Sequence, residues 1–159
     1  MRMWLDTEFN GWHGELISLA LVAEDGREFY EVLGCREPVA WVKENVMPVL
    51  NKDDVSVKTL QNKLDKWLER YNRAQIKADW PDDVKHFCEV LITGPGKYIR
   101  TPSLTLEIIT HLPGTHETSL VPHNALADAR AFKKSHLAWE AALDESKLPS
   151  PFKDSIPPF

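Results

Sequence analysis

The sequence predicts an α/β protein in which helices flank a mixed five-stranded sheet. Three strand patterns follow one another at the N-terminus, and helix and strand patterns then give the order β-β-β-α-α-β-α-β-α. A meander of three strands followed by strands between helices brings antiparallel and parallel pairs into one sheet. Hydrophobic residues make up 43% of the 159 positions and charged residues 27%, which is typical of a globular domain with its own core.

The strand patterns differ in how their apolar residues are arranged. Residues 2–8 form a short strand, and residues 15–25 alternate at first and then become a continuous apolar run, which is typical of a central strand. Asp25-Gly26 is a hairpin dipeptide, so residues 15–33 predict an antiparallel pair. The two later strand patterns cover residues 73–79 and 103–112.

The clearest helix pattern covers residues 56–72. Its apolar residues fall on one stripe, and Asp54 or Ser56 could cap its first turn. Residues 81–92 predict another helix, because Pro81 occupies the first position and acids follow in the first turn. Further helix patterns cover residues 37–50, which Pro48 interrupts, and residues 123–143, while residues 93–97 predict a turn and residues 113–122 a loop.

The length of the chain fits one domain, which we place at residues 1–148, followed by a proline-rich tail over residues 149–159. No stretch approaches about 18 apolar residues and the N-terminus has no signal-peptide pattern, so we expect neither a membrane span nor a membrane partner. Cys35 and Cys88 fit no zinc-site spacing, and we expect them to be buried thiols in a cytoplasmic protein.

The formal net charge of −5 argues against a protein that binds nucleic acid by neutralising phosphates over its whole surface. It is compatible with a site that binds phosphates through divalent cations, since carboxylates build such a site. Five basic residues surround the 56–72 helix, and they could guide a nucleic-acid strand or form an ordinary solvated helix face. They are Lys58, Lys63, Lys66, Arg70 and Arg73.

The first chemical motif is the pair Asp6 and Glu8 in the stretch WLDTEF. Because successive residues of a strand point to opposite faces, both carboxylates lie on the same face. Two such close charges at the end of an apolar strand are costly to bury unless a cation lies between them. Mg²⁺ or Mn²⁺ is the natural candidate, because hard cations bind carboxylate oxygens. The alternative is a pair of solvated acids at the end of a strand.

The second motif is HNALAD, in which His123 and Asp128 lie five residues apart at the start of the last helix pattern. Inside a regular helix their side chains would be offset by about 140°, so they could not share one metal ion. If His123 instead lies in the loop before the helix, Asp128 can hold a metal ion while the imidazole faces the substrate. The alternative gives His123 or Asn124 a capping role and makes Asp128 an exposed first-turn acid.

The third motif, ADWPDD, places Asp79 at the end of a strand and two acids, Asp82 and Asp83, in the first turn of the next helix. First-turn acids commonly complement the helix dipole, so this motif is the least specific of the three.

Together the three motifs resemble those of the DEDDh-type 3′→5′ exonucleases, which have a ribonuclease H-like fold. Asp6-Thr7-Glu8 matches the family's first motif and the stretch from His123 to Asp128 matches its last, and the order of elements agrees from residue 3 to about 143. The middle motif departs from the family, which usually has an asparagine at the position of Asp79, four residues before the aspartate at Asp83. This departure leaves open whether Asp79 or Asp82 joins the metal site that the resemblance implies. The stretches DTEF and ADWPxD are similar to those of a small branch of stand-alone exoribonucleases.

The resemblance implies a two-metal site. Asp6, Glu8, Asp83 and Asp128 would hold two Mg²⁺ or Mn²⁺ ions about 4 Å apart. His123 would act as the general base toward the attacking water, a role that suits an imidazole near neutral pH.

The resemblance also implies a substrate, which is the 3′ end of a single-stranded nucleic acid, with RNA favoured over DNA because of the branch. The residues after the first motif, Phe9, Asn10, Gly11 and Trp12, would lie beside the terminal nucleotide. Trp12, which stands between glycines, could stack on a base, whereas Phe9 could equally belong to the core. Many members of the family are dimers, so the chain could form a homodimer.

Two other functions fit the same residues. The chain could be an inactive or accessory nucleic-acid-binding module that acts in proofreading with a polymerase partner, although a full set of metal-binding acids together with His123 argues against inactivity. It could also be a metal-dependent phosphoesterase that acts on small nucleotides.

Overall fold

A five-stranded mixed sheet forms the centre of the computed structural model, which describes residues 1–112 and 118–143. The strands are β1 (Arg2–Phe9), β2 (Leu16–Ala23), β3 (Glu28–Val32), β4 (Arg73–Ala78), β5 (Ile92–Gly94), β6 (Lys97–Tyr98) and β7 (Ser103–Ile108). The sheet has the order β3-β2-β1-β4-β7, in which the pairs β1–β2 and β2–β3 are antiparallel and the pairs β1–β4 and β4–β7 are parallel. β5 and β6 form a separate small hairpin.

Within the described part of the chain, four α-helices accompany the sheet. The helices are α1 (Ala40–Asn45), α2 (Val57–Leu68), α3 (Pro81–Leu91) and α4 (Ala125–Ala142). This architecture confirms the predicted α/β class with a mixed five-stranded sheet flanked by helices and is consistent with a ribonuclease H-like fold. α2 begins after Ser56, whose hydroxyl accepts a hydrogen bond from the Thr59 N–H, so the predicted cap forms.

Alternating residues of β1 contact helices on opposite faces of the sheet. Met3 belongs to the main core together with apolar residues of α2 and α3. Trp4 points to the other face, where it packs with Phe132 of α4. The small side chains of Ala125 and Ala129 pack against β2 on that face, so the start of α4 lies close to the sheet. Asp6 and Glu8 share the face of Trp4, so the acids of the first motif lie on the side of β1 that α4 covers.

Several element boundaries differ from the predictions for local reasons. The predicted helix over residues 37–50 is split into α1 and a 3₁₀ helix (Met47–Val49), because Pro48 has no N–H to continue the α-helical ladder. α2 ends at Leu68 rather than at residue 72, and β7 ends at Ile108 rather than at residue 112. The turn predicted over residues 93–97 lies within the β5–β6 hairpin.

Three further expectations have different outcomes. Cys35 and Cys88 are free thiols, but both are half-buried rather than buried. Among the described residues, no helix combines the length and the apolar character needed to cross a bilayer. The domain boundary at residue 148 and the proline-rich tail over residues 149–159 lie outside the described residues.

Candidate metal centre

Among the residues that the structure describes, six acidic or imidazole side chains from all three sequence motifs meet at the carboxyl ends of two neighbouring central strands. They form two groups, and within each group one ligand atom from every residue lies within 4.8 Å of the others. The parallel strands β1 and β4 both end at this place, so residues that are far apart in the chain meet there. The first group is Glu8, His123 and Asp128, and the second is Asp6, Asp79 and Asp83.

β1 supplies two of these acids from alternate positions. Asp6 and Glu8 continue the face of Trp4 and therefore lie on the α4 side, as the period of a strand requires. Thr7, between them, points to the opposite face and is buried. The pairing of β1 with β2 shifts register between Glu8 and Phe9, so the regular strand ends directly after the two acids.

Asp83 reaches the site through two hydrogen bonds with Thr7. The Thr7 backbone N–H donates to Asp83 Oδ1 at 3.0 Å, and the Thr7 hydroxyl donates to the same oxygen at 2.6 Å. Asp83 is buried in the first turn of α3, so these bonds fix the start of that helix against the end of β1. Sequence reasoning missed the role of Thr7, although a hydroxyl residue between the two acids of the first motif was the available signal.

His123 lies outside α4, which removes the offset expected for a regular helix. Asn124 is the N-cap and its side chain accepts a hydrogen bond from the Ala127 N–H at 3.1 Å. His123 has a left-handed φ of 66°, and its backbone N–H donates to Asp128 Oδ2 at 2.9 Å. The loop placement that would let His123 and Asp128 act together is the one that the structure contains.

Two further residues position the start of α4 and the His123 ring. The Asn124 amide donates to the Val49 carbonyl oxygen at 2.8 Å, which ties the helix to the 3₁₀ segment. The ring of Trp41 in α1 meets the His123 ring edge-on, with 4.8 Å between the ring centroids. The role of Trp41 was not predictable from the sequence, because the contact joins two segments that are distant in the chain.

Burial and mutual repulsion raise the pKa of the site's carboxyl groups. Burial raises the pKa of Asp6 well above its usual range, and the charges of Asp83 and Glu8 raise it further. Burial and the charge of Asp128 raise the pKa of Glu8 to about 8. Burial also raises the pKa of Asp83 to about 7, although the hydrogen bonds from Thr7 act in the opposite direction.

The chemistry of these side chains fits a divalent cation. Asp6 Oδ2 is buried and has no hydrogen-bond partner among the described residues. A buried carboxylate oxygen without a donor is costly unless a cation compensates its charge. Five carboxylates and one imidazole provide hard oxygen ligands and one nitrogen, a set that suits Mg²⁺ or Mn²⁺.

Two of the three acids of the third motif, Asp79 and Asp83, belong to the second group, and Asp82 does not. Asp79 directly follows β4 and lies with Asp6 and Asp83 in the second group, and burial raises its pKa. Asp82 belongs to neither group. Its carboxylate accepts a hydrogen bond from the Trp80 indole N–H at 3.2 Å and lies 4.0 Å from the Lys85 ammonium.

The four residues predicted to lie beside the substrate have different environments. The ring of Phe9 packs on the ring of His86 in α3 with 5.0 Å between centroids, which favours the core alternative. The Asn10 side chain accepts from the Val39 N–H at 2.8 Å and donates to the Glu37 carbonyl at 3.1 Å, so it holds the loop before α1. Gly11 has a positive φ of 69°, and Trp12 is 87% exposed.

A cavity of about 470 Å³ opens beside the acids. Asp6, Asp79 and Asp128 lie along it together with apolar side chains that include Leu112 and Phe132. This cavity was not predicted, because its wall combines the end of β4, the segment after β7 and the body of α4. It gives the acids a recess that could hold part of a ligand.

Part of the chain is similar to two curated 3′-5′ exoribonucleases of Mycobacterium tuberculosis, one from strain CDC 1551 / Oshkosh and one from strain ATCC 25618 / H37Rv. In each comparison 55 residues are 47% identical, which covers 31% of this chain and 33% of the relative. The chain thus spans about a third of the length of these curated relatives. No protein-family model matches the chain.

Proposed function

We propose that the protein is a metal-dependent 3′→5′ exonuclease that hydrolyses the phosphodiester bond at the 3′ end of single-stranded RNA. The observation that carries this proposal is the convergence of five carboxylates and one imidazole in two groups, within each of which the ligand atoms lie within 4.8 Å of one another. The six residues are Asp6, Glu8, Asp79, Asp83, His123 and Asp128. The local similarity to two 3′-5′ exoribonucleases supports both the direction of cleavage and the preference for RNA over DNA.

The acids are the groups that would hold two Mg²⁺ or Mn²⁺ ions, and Asp6, Glu8, Asp83 and Asp128 are the proposed ligands. When bound there, the two ions would stabilise the charge that develops on the attacking and leaving oxygens of a phosphoryl displacement. The protein itself holds the four carboxylates in place. Asp6 and Glu8 lie on β1, Asp83 accepts the two hydrogen bonds from Thr7, and Asp128 accepts a hydrogen bond from the His123 N–H.

His123 is the proposed general base. It lies in the group that contains Glu8 and Asp128, so its ring is at the site without being fixed inside the helix. The ring takes the proton of the attacking water as the new P–O bond forms. The bond from phosphorus to the 3′ oxygen of the preceding nucleotide breaks, and that oxygen takes up a proton from solvent as it leaves. Trp41 contacts the ring edge-on, and one ring nitrogen lies within 4.8 Å of carboxylate oxygens of Glu8 and Asp128.

A labelled-substrate assay tests the function. RNA and DNA oligonucleotides labelled at the 5′ or the 3′ end are incubated with Mg²⁺, Mn²⁺ or EDTA. We expect stepwise release of mononucleotides from the 3′ end of RNA, faster than from DNA, and no release in EDTA. Binding without turnover in either metal would instead indicate an accessory module, and hydrolysis of free nucleotides alone would indicate a small-nucleotide phosphoesterase.

We predict that Asp83→Asn is much more harmful than Asp79→Asn. Asparagine at position 83 can still accept from Thr7, but it removes a buried charge that a cation needs, so kcat should fall by about 1,000-fold. Asparagine at position 79 is the residue usual in the resembling family, and we expect a loss of only about tenfold. Steady-state kinetics on the same RNA measure both variants. The reverse order would mean that Asp79, rather than Asp83, is the metal-binding acid of the third motif.

We predict that His123→Ala separates proton transfer from metal binding. Loss of a general base lowers kcat by about 100- to 10,000-fold. Because the carboxylates remain, the rise in Tm produced by saturating Mn²⁺ should stay within about 2 °C of the wild-type rise. Thermal unfolding with and without Mn²⁺ provides this second measurement. A variant that loses the Mn²⁺ effect together with its activity would show that His123 is a metal ligand instead.

A further inference from the structure

We propose that a basic groove along the edge strand β3 binds the phosphodiester backbone of the RNA strand upstream of the scissile bond. This inference rests on the proposed function and adds a binding surface to it. The basic groove is a cavity of about 550 Å³ between β3, α2 and the start of α4. Its four cationic side chains are Lys52, Lys63, Lys66 and Arg70.

The acids of the groove are already neutralised from within the protein. Glu31 is only 6% exposed, and its carboxylate lies 3.0 Å from the ammonium groups of Lys52 and Lys63. Glu28 accepts two hydrogen bonds from the Arg130 guanidinium, at 2.5 and 2.7 Å.

The remaining charge of the groove is positive. Within residues 1–112 and 118–143, neither Lys66 nor Arg70 forms an ion pair, and both are exposed. The groove is therefore a positive surface on a chain whose formal net charge is −5. A polyanion is the ligand class that complements it, because phosphate oxygens can bind Lys66 and Arg70 without displacing an existing partner.

The groove adjoins the candidate metal centre. Tyr30 lies in its wall, and the Tyr30 hydroxyl donates to the Leu50 carbonyl at 2.8 Å and lies 3.3 Å from the Asn124 amide nitrogen. Asn124 is the cap of α4 and the neighbour of His123 in the chain. Leu126, in the first turn of α4, lies in the wall as well. A strand whose 3′ end is at the metal centre can continue along β3 into the groove.

The groove suits a backbone better than a series of bases. Its tryptophan, Trp67, is 8% exposed and packs against Phe29 and Tyr71, so it offers little ring surface for stacking. The Tyr30 ring is half-buried, and the Lys52 ammonium lies over it, 5.7 Å from the ring centroid, so this ring also offers little free surface for stacking. With phosphates on the cations and bases toward solvent, binding would be independent of base sequence and sensitive to salt.

The test compares a long and a short substrate. In the Lys66→Glu/Arg70→Glu variant we expect kcat/KM for an RNA of about 16 nucleotides to fall about tenfold at low salt. The slope of log(kcat/KM) against log[salt] should become shallower by about 1.4, since each single-strand phosphate contact contributes about 0.7. A dinucleotide ends at the metal centre, so its kcat/KM should stay unchanged. The matched control reverses two exposed lysines outside the groove wall, Lys97→Glu/Lys134→Glu, and should leave both substrates unaffected.

A binding measurement keeps the inference separate from the proposed function. In the Asp6→Asn background, fluorescence anisotropy with the long RNA should show that Lys66→Glu/Arg70→Glu raises Kd about tenfold. Unchanged Kd and unchanged long-substrate kinetics would overturn the inference, as would an equal loss on the dinucleotide. If the wild-type protein released no nucleotides at all, the proposed function would fail, whereas a groove-dependent Kd would still support RNA binding at this surface.

Discussion

Replacing Asp6 by asparagine should abolish nucleotide release while making the metal-free protein more stable. The substitution keeps the shape of the side chain and removes one of the four carboxylates that would together hold the two ions. We expect kcat/KM on RNA to fall by about 1,000-fold or more, since cation stabilisation of the transition state is worth several kcal/mol and each 1.36 kcal/mol is tenfold. Asp128→Asn should cause a similar loss.

The gain in stability has a separate physical cause. Asp6 Oδ2 is buried without a hydrogen-bond donor among the described residues, and the charges of Asp83 and Glu8 repel it. Asparagine removes this repulsion, so in EDTA at about pH 8 we expect a gain of about 1 to 2 kcal/mol, or roughly 2 to 8 °C in Tm. Asp53→Asn is a matched control, because Asp53 is exposed and outside both groups. An active Asp6→Asn protein would refute the assignment of the site.

Metal-free wild-type protein should lose stability as the pH rises from about 7 to 8.5. The pKa of Glu8 is raised to about 8 and that of Asp83 to about 7, so the unfolded chain releases these protons at lower pH than the folded protein. Stability is therefore highest below the unfolded pKa values and is lost as the pH rises through the folded ones. Because Glu8 is only partly buried, we expect about 1 kcal/mol over this range, or about 2 to 4 °C in Tm.

Mn²⁺ should reverse this trend, because the ions bind the deprotonated acids. The rise in Tm caused by Mn²⁺ should be larger at about pH 8.5 than at about pH 7. Between about pH 7 and 8.5, His86 and His136 do not disturb this measurement. Burial lowers the pKa of both imidazoles, so their contribution makes the protein more stable as the pH rises, but only below about pH 6.5. Glu8→Gln should flatten the metal-free profile. A wild-type Tm that is independent of pH in EDTA would contradict the repulsion described here.

The sequence predicted the parts of the site that depend on local periodicity. The spacing of Asp6 and Glu8 fixed their common face, because side chains of a strand alternate whatever the rest of the chain does. The start of α3 was predictable from Pro81, and the five strands of the sheet and the helices that flank it were predictable from the patterns of apolar residues. Boundaries were less accurate where a single residue decides them, as at Pro48, where the predicted helix becomes two short ones.

Whether His123 acts with Asp128 depended on tertiary contacts. The sequence allowed both a helical and a loop position for His123. Asn124 resolves the choice, because its side chain caps the helix and its amide also binds the Val49 carbonyl of a distant segment. Likewise, only the hydrogen bonds from Thr7 identify Asp83, rather than Asp82, as the acid that enters the cluster.

By itself, the sequence determined the type of elements, the face on which each acid of β1 lies and the presence of carboxylates that suit a hard cation. The tertiary structure decided which acids meet, which oxygen of Asp6 lacks a donor, and that lysines from two segments line one groove beside β3. The physical reason is the range of the interactions involved. Periodicity and capping act within a few residues of the chain, whereas repulsion between carboxylates and attraction for a phosphate depend on distances in space that only the packed sheet and helices set.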